Sequence, residues 1–293
     1  MEKLFDLDLV ATNRLNAIQA KDASAGFLLE IAAQELAERL QLVERHFEVA
    51  AELHGGNGIT ARECMATGKI GRMIRVETDT AFASPGEKVT EASFETVPLE
   101  PQSVNLILSP LILHLMNDIP GVLFQMRLAL KPDGLLLAAI PGAGTLSELR
   151  DVMLAAEVEL SGGASPRVIP FADIRDMGAL LQRAGFSLPV VDAQTYTVRY
   201  DSILPLMRDL KAMGMANPLL GRSRRPVGKR FMQRVAELYA ERHSDPDGRI
   251  RATFSFVYVS GWAPHESQQK PLKPGSAKMR LADALSVDKQ TTG

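Results

Sequence analysis

From residue 7 to residue 46 apolar side chains recur at helical spacing, with Phe27, Leu28, Ile31, Ala32, Leu36 and Leu40 on one stripe and charges between them. This pattern predicts one or two amphipathic helices, a helical preface over residues 1–46. The texture then changes. Phe47–Leu53 reads as a buried strand, His54-Gly55-Gly56-Asn57-Gly58 as a tight loop and residues 59–67 as a helix. Residues 72–77, 88–91 and 104–109 are further strands. Residues 120–130 read as a helix with Pro120 in its first turn, stopped by Lys131-Pro132-Asp133-Gly134, and residues 135–140 form an unbroken apolar strand. Strands alternating with helices predict an α/β unit over residues 47–262, its sheet mostly parallel and covered on both faces.

The second half has another rhythm. Residues 172–184 read as a helix ended by Gly185, residues 190–200 as a long alternating strand, and residues 253–262 as another, with Phe254, Phe256 and Tyr258 on one face. Such alternation suits an antiparallel pair with one more exposed face. Between these strands lies an insertion, residues 202–245, with helical stretches at 203–214 and 231–243 joined by Gly221-Arg222-Ser223-Arg224-Arg225-Pro226; it could form a lid. Residues 263–293, rich in Pro, Ser, Lys and Gln, have no periodicity and read as an extended tail.

Composition narrows the partners. With 46% hydrophobic residues, the 293-residue chain can bury a full core, while 33 Lys+Arg against 35 Asp+Glu leave no basic field to hold nucleic acid. A small molecule or a protein is the expected partner. The single cysteine, Cys64, excludes a disulfide framework or a multi-thiolate metal site within one chain and fits a reducing, cytoplasmic setting. His46, His243 and His265 are too scattered to suggest a metal site. The start, Met1-Glu2-Lys3-Leu4-Phe5-Asp6, lacks an export signal, and no run of about 18 apolar residues predicts a membrane span.

The glycine loop carries the chemistry. Glycines after a buried strand let the backbone approach a ligand and set a helix N-terminus against it. Gly56-Asn57-Gly58-Ile59-Thr60-Ala61 satisfies the dinucleotide pattern, and Glu77 ends the next strand, where an acid would bind ribose hydroxyls, so an NAD-binding oxidoreductase is one alternative. A tight turn that binds nothing is another. Acidic Glu52 before the loop, the helical preface and the terminal strand pair favour S-adenosylmethionine (SAM) instead.

Glu52-Leu53-His54-Gly55-Gly56-Asn57-Gly58 together with Leu130-Lys131-Pro132-Asp133-Gly134-Leu135 resembles the first and late motifs of class I SAM-dependent methyltransferases. Asn117-Asp118-Ile119-Pro120-Gly121, residues 144–150, Gly162-Gly163-Ala164-Ser165-Pro166, Arg222-Ser223-Arg224-Arg225-Pro226 and the ending from Gly261 to Pro271 resemble one branch of it. That branch is the bacterial relatives of the mitochondrial NADH:ubiquinone oxidoreductase assembly factor 5. Malonyl-carrier-protein O-methyltransferase is a more distant likeness. The resemblance implies a Rossmann-like class I methyltransferase sheet with an antiparallel C-terminal strand, SAM as cofactor, and a small-molecule or protein methyl acceptor. It also implies a respiratory-complex subunit as a possible partner, with a hydroxylase-type or non-catalytic assembly factor as the rival activity.

Carried over by position, the resemblance puts Glu52, His54, Gly56, Gly58, Glu77, Ser93 and Phe94 at the cofactor. Several of these depart from the family pattern. His54 stands at the first glycine place, where its Cβ would crowd the methionine end if the residue needs φ > 0. Ser93 replaces the acid near the adenine amino group, while Phe94 can still pack on the ring. Asn105 stands at an Asp position and Leu115 at a Trp position. On the substrate side, His114 follows the fourth strand at its ligand-binding edge, with a hydrogen-bonded structural His as its ordinary alternative, and the run Arg222, Arg224, Arg225, Lys229 and Arg230 could receive a carboxylate, phosphate or acidic protein surface, although a solvated helix entry is the preferred reading of it. No catalytic residue is assigned, since methyl transfer rests mainly on positioning.

Overall fold

The computed structural model describes residues 3–20, 22, 26–163, 165–224 and 226–269. Its strands are β1 (Phe47–Leu53), β2 (Ile70–Glu77), β3 (Val89–Glu91), β4 (Val104–Pro110), β5 (Leu130–Pro141), β6 (Ser187–Tyr200) and β7 (Ile250–Trp262). They form one seven-stranded sheet in the order β3-β2-β1-β4-β5-β7-β6. The first five strands pair in parallel, and β7 runs antiparallel to both neighbours. The order reverses between β1 and β4, so a crevice opens at the carboxyl ends of these strands, where ligands bind in open α/β sheets.

Helices α1 (Leu7–Ala20), α2 (Phe27–Gln41), α3 (Ile59–Ala66), α4 (Ile119–Ala129), α5 (Ser147–Ser161), α6 (Ile174–Arg183), α7 (Ile203–Ala212) and α8 (Lys229–His243) surround the sheet. The unbroken apolar runs of β4 and β5 follow from burial on both faces: Leu106 and Leu108 pack with Leu36 and Leu40 of α2, whereas Ile107 and Leu136 pack with Val122 and Met126 of α4. Each such side chain contributes about 1.5–3 kcal/mol on full burial. Among the described residues, no helix is long and apolar enough to cross a membrane.

Three features differ from the pattern-based expectations. Lys131-Pro132-Asp133-Gly134 does not separate helix from strand; β5 already begins at Leu130, and the register slips between Val104 and Leu106. A bulge accommodates the proline, with Asp133 at φ 63 tied to Arg45 and Gln268. Helix α5 was not foreseen, although Leu149, Val152, Met153 and Ala156 form its buried stripe. The insertion also divides: α7 packs beside α1, but α8 lies on α5, where Val235, Leu238 and Tyr239 are buried and Arg234 and Arg242 reach Glu159 and Asp151. Only α7 therefore stands where a lid would. Ala263 exchanges backbone hydrogen bonds with Asp133 and Gly134, and the expected tail from residue 270 onward lies outside the described residues.

Candidate functional site

The loop between β1 and α3 is shaped by two buried acids. Glu52, at 0% exposure, accepts from the Ala61 N–H at 2.8 Å, which ties β1 to the first turn of α3. A Cβ on Gly55 would fall 2.2 Å from the Glu52 carboxyl carbon, so only glycine fits there. Gly56 and Gly58 hold φ of 75° and 70°, left-handed conformations that glycine adopts without steric cost. Glu77, at the end of β2 and also fully buried, accepts from the Gly56 N–H at 2.8 Å through Oε1. The other oxygen, Oε2, is buried without a partner.

One guanidinium joins these acids. Arg75 donates from Nε to Glu52 at 2.6 Å, from Nη2 to Glu77 at 2.9 Å and to the Gly56 carbonyl at 2.5 Å, and from Nη1 to Glu87 at 2.7 Å. Burial still outweighs the cation at both acids. It raises Glu52 above the ordinary carboxyl value, and burial reinforced by Glu52 pushes Glu77 up to about 7 despite Arg14 and Arg75.

Arg14 reaches the same place from α1. It donates from Nη2 to the His54 carbonyl at 2.5 Å, and its guanidinium lies 5.4 Å from the Phe82 ring centroid and 5.7 Å from that of Phe94. The His54 ring packs on Phe94 with centroids 5.0 Å apart, next to the Ser93 backbone. Methionine-end room at His54 required φ < 0, yet the residue sits at φ 54, the left-handed region that its Cβ resists. Its ring turns toward the expected adenine wall. Burial, with Arg14 nearby, pushes the imidazole down to about 3, so it is neutral. Ser93 pairs its hydroxyl with Thr96 at 2.8 Å. Asn105 accepts from the Val49 N–H, a contact between strands rather than a ligand contact.

A cavity of about 940 Å³ adjoins the loop at Gly55, Gly56 and Asn57, walled by α1, α7 and the segment from Pro166 to Phe171. His114 lines it from the 3₁₀ turn Leu113–Leu115 after β4, with its ring 6.2 Å from Phe171 and Nδ1 buried and unpartnered. Burial pushes it down to about 3. Arg222 also lines the cavity, but it donates to the Leu219 carbonyl at 2.7 Å and pairs with Asp6 at 3.3 Å, a structural tie to the N-terminal segment. Arg225 lies outside the described residues.

The structure thus brings Glu52, His54, Gly56, Gly58, Glu77, Ser93 and Phe94 to one sheet edge, with His114 in the adjoining cavity. Arg14 and Arg75 join them unforeseen. Arg75 had a readable signal, since it precedes Glu77 by two on one strand face, whereas Arg14 arrives through tertiary packing alone. Buried polar atoms without partners concentrate here: Glu77 Oε2, Thr78 Oγ1, His54 Nδ1, Arg14 Nη1 and His114 Nδ1. Such atoms are rare in native interiors and mark a place for a ligand or for water.

The chain is similar in sequence and fold to known proteins. The methyltransferase domain family matches residues 52–138. A Dictyostelium discoideum protein named arginine-hydroxylase NDUFAF5, mitochondrial, is 44% identical over 186 residues, which are 63% of this chain and 42% of that longer protein. The Homo sapiens protein of the same name is 33% identical over 292 residues, covering 97% of this chain and 84% of its own length. The malonyl-[acyl-carrier protein] O-methyltransferase of Halorhodospira halophila is 31% identical over 278 residues, 88% of this chain and 90% of that one. Among solved structures, the YcgJ protein of Bacillus subtilis superposes with a TM-score of 0.53 at 13% identity, over 78% of this chain and 98% of that one, a likeness of fold. By the extent of these matches, and by the glycine loop and sheet order that accompany them, the chain belongs to the NDUFAF5 family of class I methyltransferase-fold proteins.

Proposed function

We propose that this protein binds SAM at the carboxyl ends of β1, β2 and β4 and transfers its methyl group to an acceptor held in the adjoining cavity. Glu77 carries the reading. One of its oxygens is fixed by the Gly56 N–H and Arg75, and the other is buried without a partner, which is the acceptor that a ribose hydroxyl needs. Arg14 keeps Nη1 unpaired and is the cation available to a methionine carboxylate. Phe94 offers its ring to adenine once Arg14 and His54 leave it, so the donor and acceptor set fits SAM while the space is shut by side chains.

Bound SAM supplies a sulfonium methyl that is already electrophilic. The chain's own task is then positioning. Glu77 fixes the ribose, the loop at Gly56 and Gly58 allows close backbone approach, and the neutral His114 on the cavity wall can orient the acceptor by one hydrogen bond. The acceptor, whether small molecule or respiratory-complex subunit, and the cytoplasmic setting expected from the lone cysteine belong to this proposal.

A second reading is a hydroxylase-type or non-catalytic assembly factor. The names of the NDUFAF5 relatives favour it, and so does the adenine wall filled by His54 and Arg14. Calorimetric titration of SAM and S-adenosylhomocysteine into the wild-type chain tests the leading reading. Saturable heat is expected, and its absence rejects it. Mass spectrometry of an acceptor then separates the activities, since one methylene is gained by methylation and one oxygen by hydroxylation.

A further inference from the structure

We infer that the cavity beside the glycine loop is a chamber for a long-chain carboxylate. The inference shares the acceptor chamber with the methyl-transfer reading but does not need the cofactor, so the two can fail separately.

Size and lining come first. At about 940 Å³ the cavity sits at the upper end of small-ligand sites, larger than a single amino-acid side chain requires. Its walls include Met153, Met207, Met213 and Met215 together with Phe254 and Phe256. Unbranched thioether side chains adapt to a flexible apolar body better than rigid branched ones. An alkyl chain suits such a wall.

Charge then selects the head group. Among the described residues, the lining contains four cationic side chains, Arg14, Arg167, Lys211 and Arg222, and one carboxylate, Asp22, which already has an interaction of its own. Arg167 is paired with Glu157, and Arg222 with Asp6. Arg14 leaves Nη1 without a partner but also faces Glu77. Lys211, in the last turn of α7, is exposed, and its side-chain ammonium has neither an ion pair nor a hydrogen bond among the described residues. The exposed Lys211 ammonium is therefore a cation on this wall with no salt-bridge partner among the described residues. A carboxylate gains from it, while a guanidinium or ammonium ligand would meet like charge and an acid already engaged.

The test uses the full chain without SAM. Uptake of the fluorescent fatty acid cis-parinarate is followed, and palmitate, hexadecanol and an arginine-containing peptide compete with it. Palmitate is expected to displace the probe at a concentration at least about tenfold below that of hexadecanol, which is about 1.4 kcal/mol. Lys211→Glu should bring that ratio toward one. Met207→Trp, which fills the chamber, should weaken acid and alcohol alike, with Met215→Trp as the second filler if the first fails to fold by circular dichroism. Absence of saturable parinarate uptake overturns the inference. So does equal competition by the alcohol, or stronger competition by the arginine peptide than by palmitate.

Discussion

Arg75 and Glu52 stand opposite each other in the β1–β2 register, and Arg75 Nε donates to Glu52 Oε2 at 2.6 Å with the two side chains 2% and 0% exposed. The same guanidinium holds Glu77, so the loop that faces the crevice is built on one buried cation and two buried acids. Removing the cation leaves both acids uncompensated. Arg75→Met is expected to cost about 3–5 kcal/mol of stability, whereas Glu87→Gln, whose own carboxylate is 31% exposed, should cost less than about 1 kcal/mol. Denaturant midpoints measure both. An Arg75→Met chain as stable as wild type would refute this view of the loop.

Glu77 makes stability depend on pH in a stated direction. Its folded value, about 7, lies above its ordinary value of 4.5, and Glu52 is shifted the same way, both chiefly by burial. Between these limits the folded chain holds a proton that the unfolded chain has released, so this contribution is complete below about 4.5 and is lost as pH rises through about 7. Glu77→Gln should flatten that decline. Urea unfolding at a series of pH values checks it, and a wild-type stability that rises across the window because of Glu77 would contradict the assignment.

His54 offers a separate test. The residue occupies a left-handed conformation and covers Phe94 with its ring. His54→Gly removes both the backbone penalty, roughly 1–2 kcal/mol for a side-chain-bearing residue, and the cover. SAM affinity should therefore rise by about tenfold, or about 1.4 kcal/mol. Unchanged or weaker binding would mean that the imidazole does not obstruct the site.

Much of this was legible from the chain itself. Phe47–Leu53 followed by glycines fixed the first strand and the loop, and Glu77 was placed at the end of the next strand by spacing alone. The terminal pair was readable because β6 alternates along its length while β7 carries Phe254, Phe256 and Tyr258 on one face. Lys131-Pro132-Asp133-Gly134 misled because turn residues in sequence also build a bulge, and only the pairing of Leu130 with Val104 distinguishes the two. The spacing of Arg75 and Glu77 on one strand face was readable, but the pairing of Arg75 with Glu52 depends on cross-strand register. Arg14 lies 40 residues from the His54 carbonyl that it meets, a relation no local pattern carries.

Cys64 should be chemically silent. It lies on the buried face of α3, and burial together with Glu52 and Glu63 pushes its thiol up to about 12, so almost no thiolate exists at neutral pH. A thiol reagent should label the chain only in step with unfolding. Rapid labelling of the native chain would contradict the packing described around Glu52.

If the free oxygen of Glu77 receives the ribose of SAM, calorimetric titration of SAM into wild type, Glu77→Gln and Glu87→Gln at pH 8, above the Glu77 value of about 7, reads it most directly. Saturable binding to wild type, a loss of at least about tenfold in Glu77→Gln, or about 1.4 kcal/mol, and near wild-type affinity in Glu87→Gln is the predicted result. Wild-type affinity in Glu77→Gln, or no binding to any of the three chains, would contradict it.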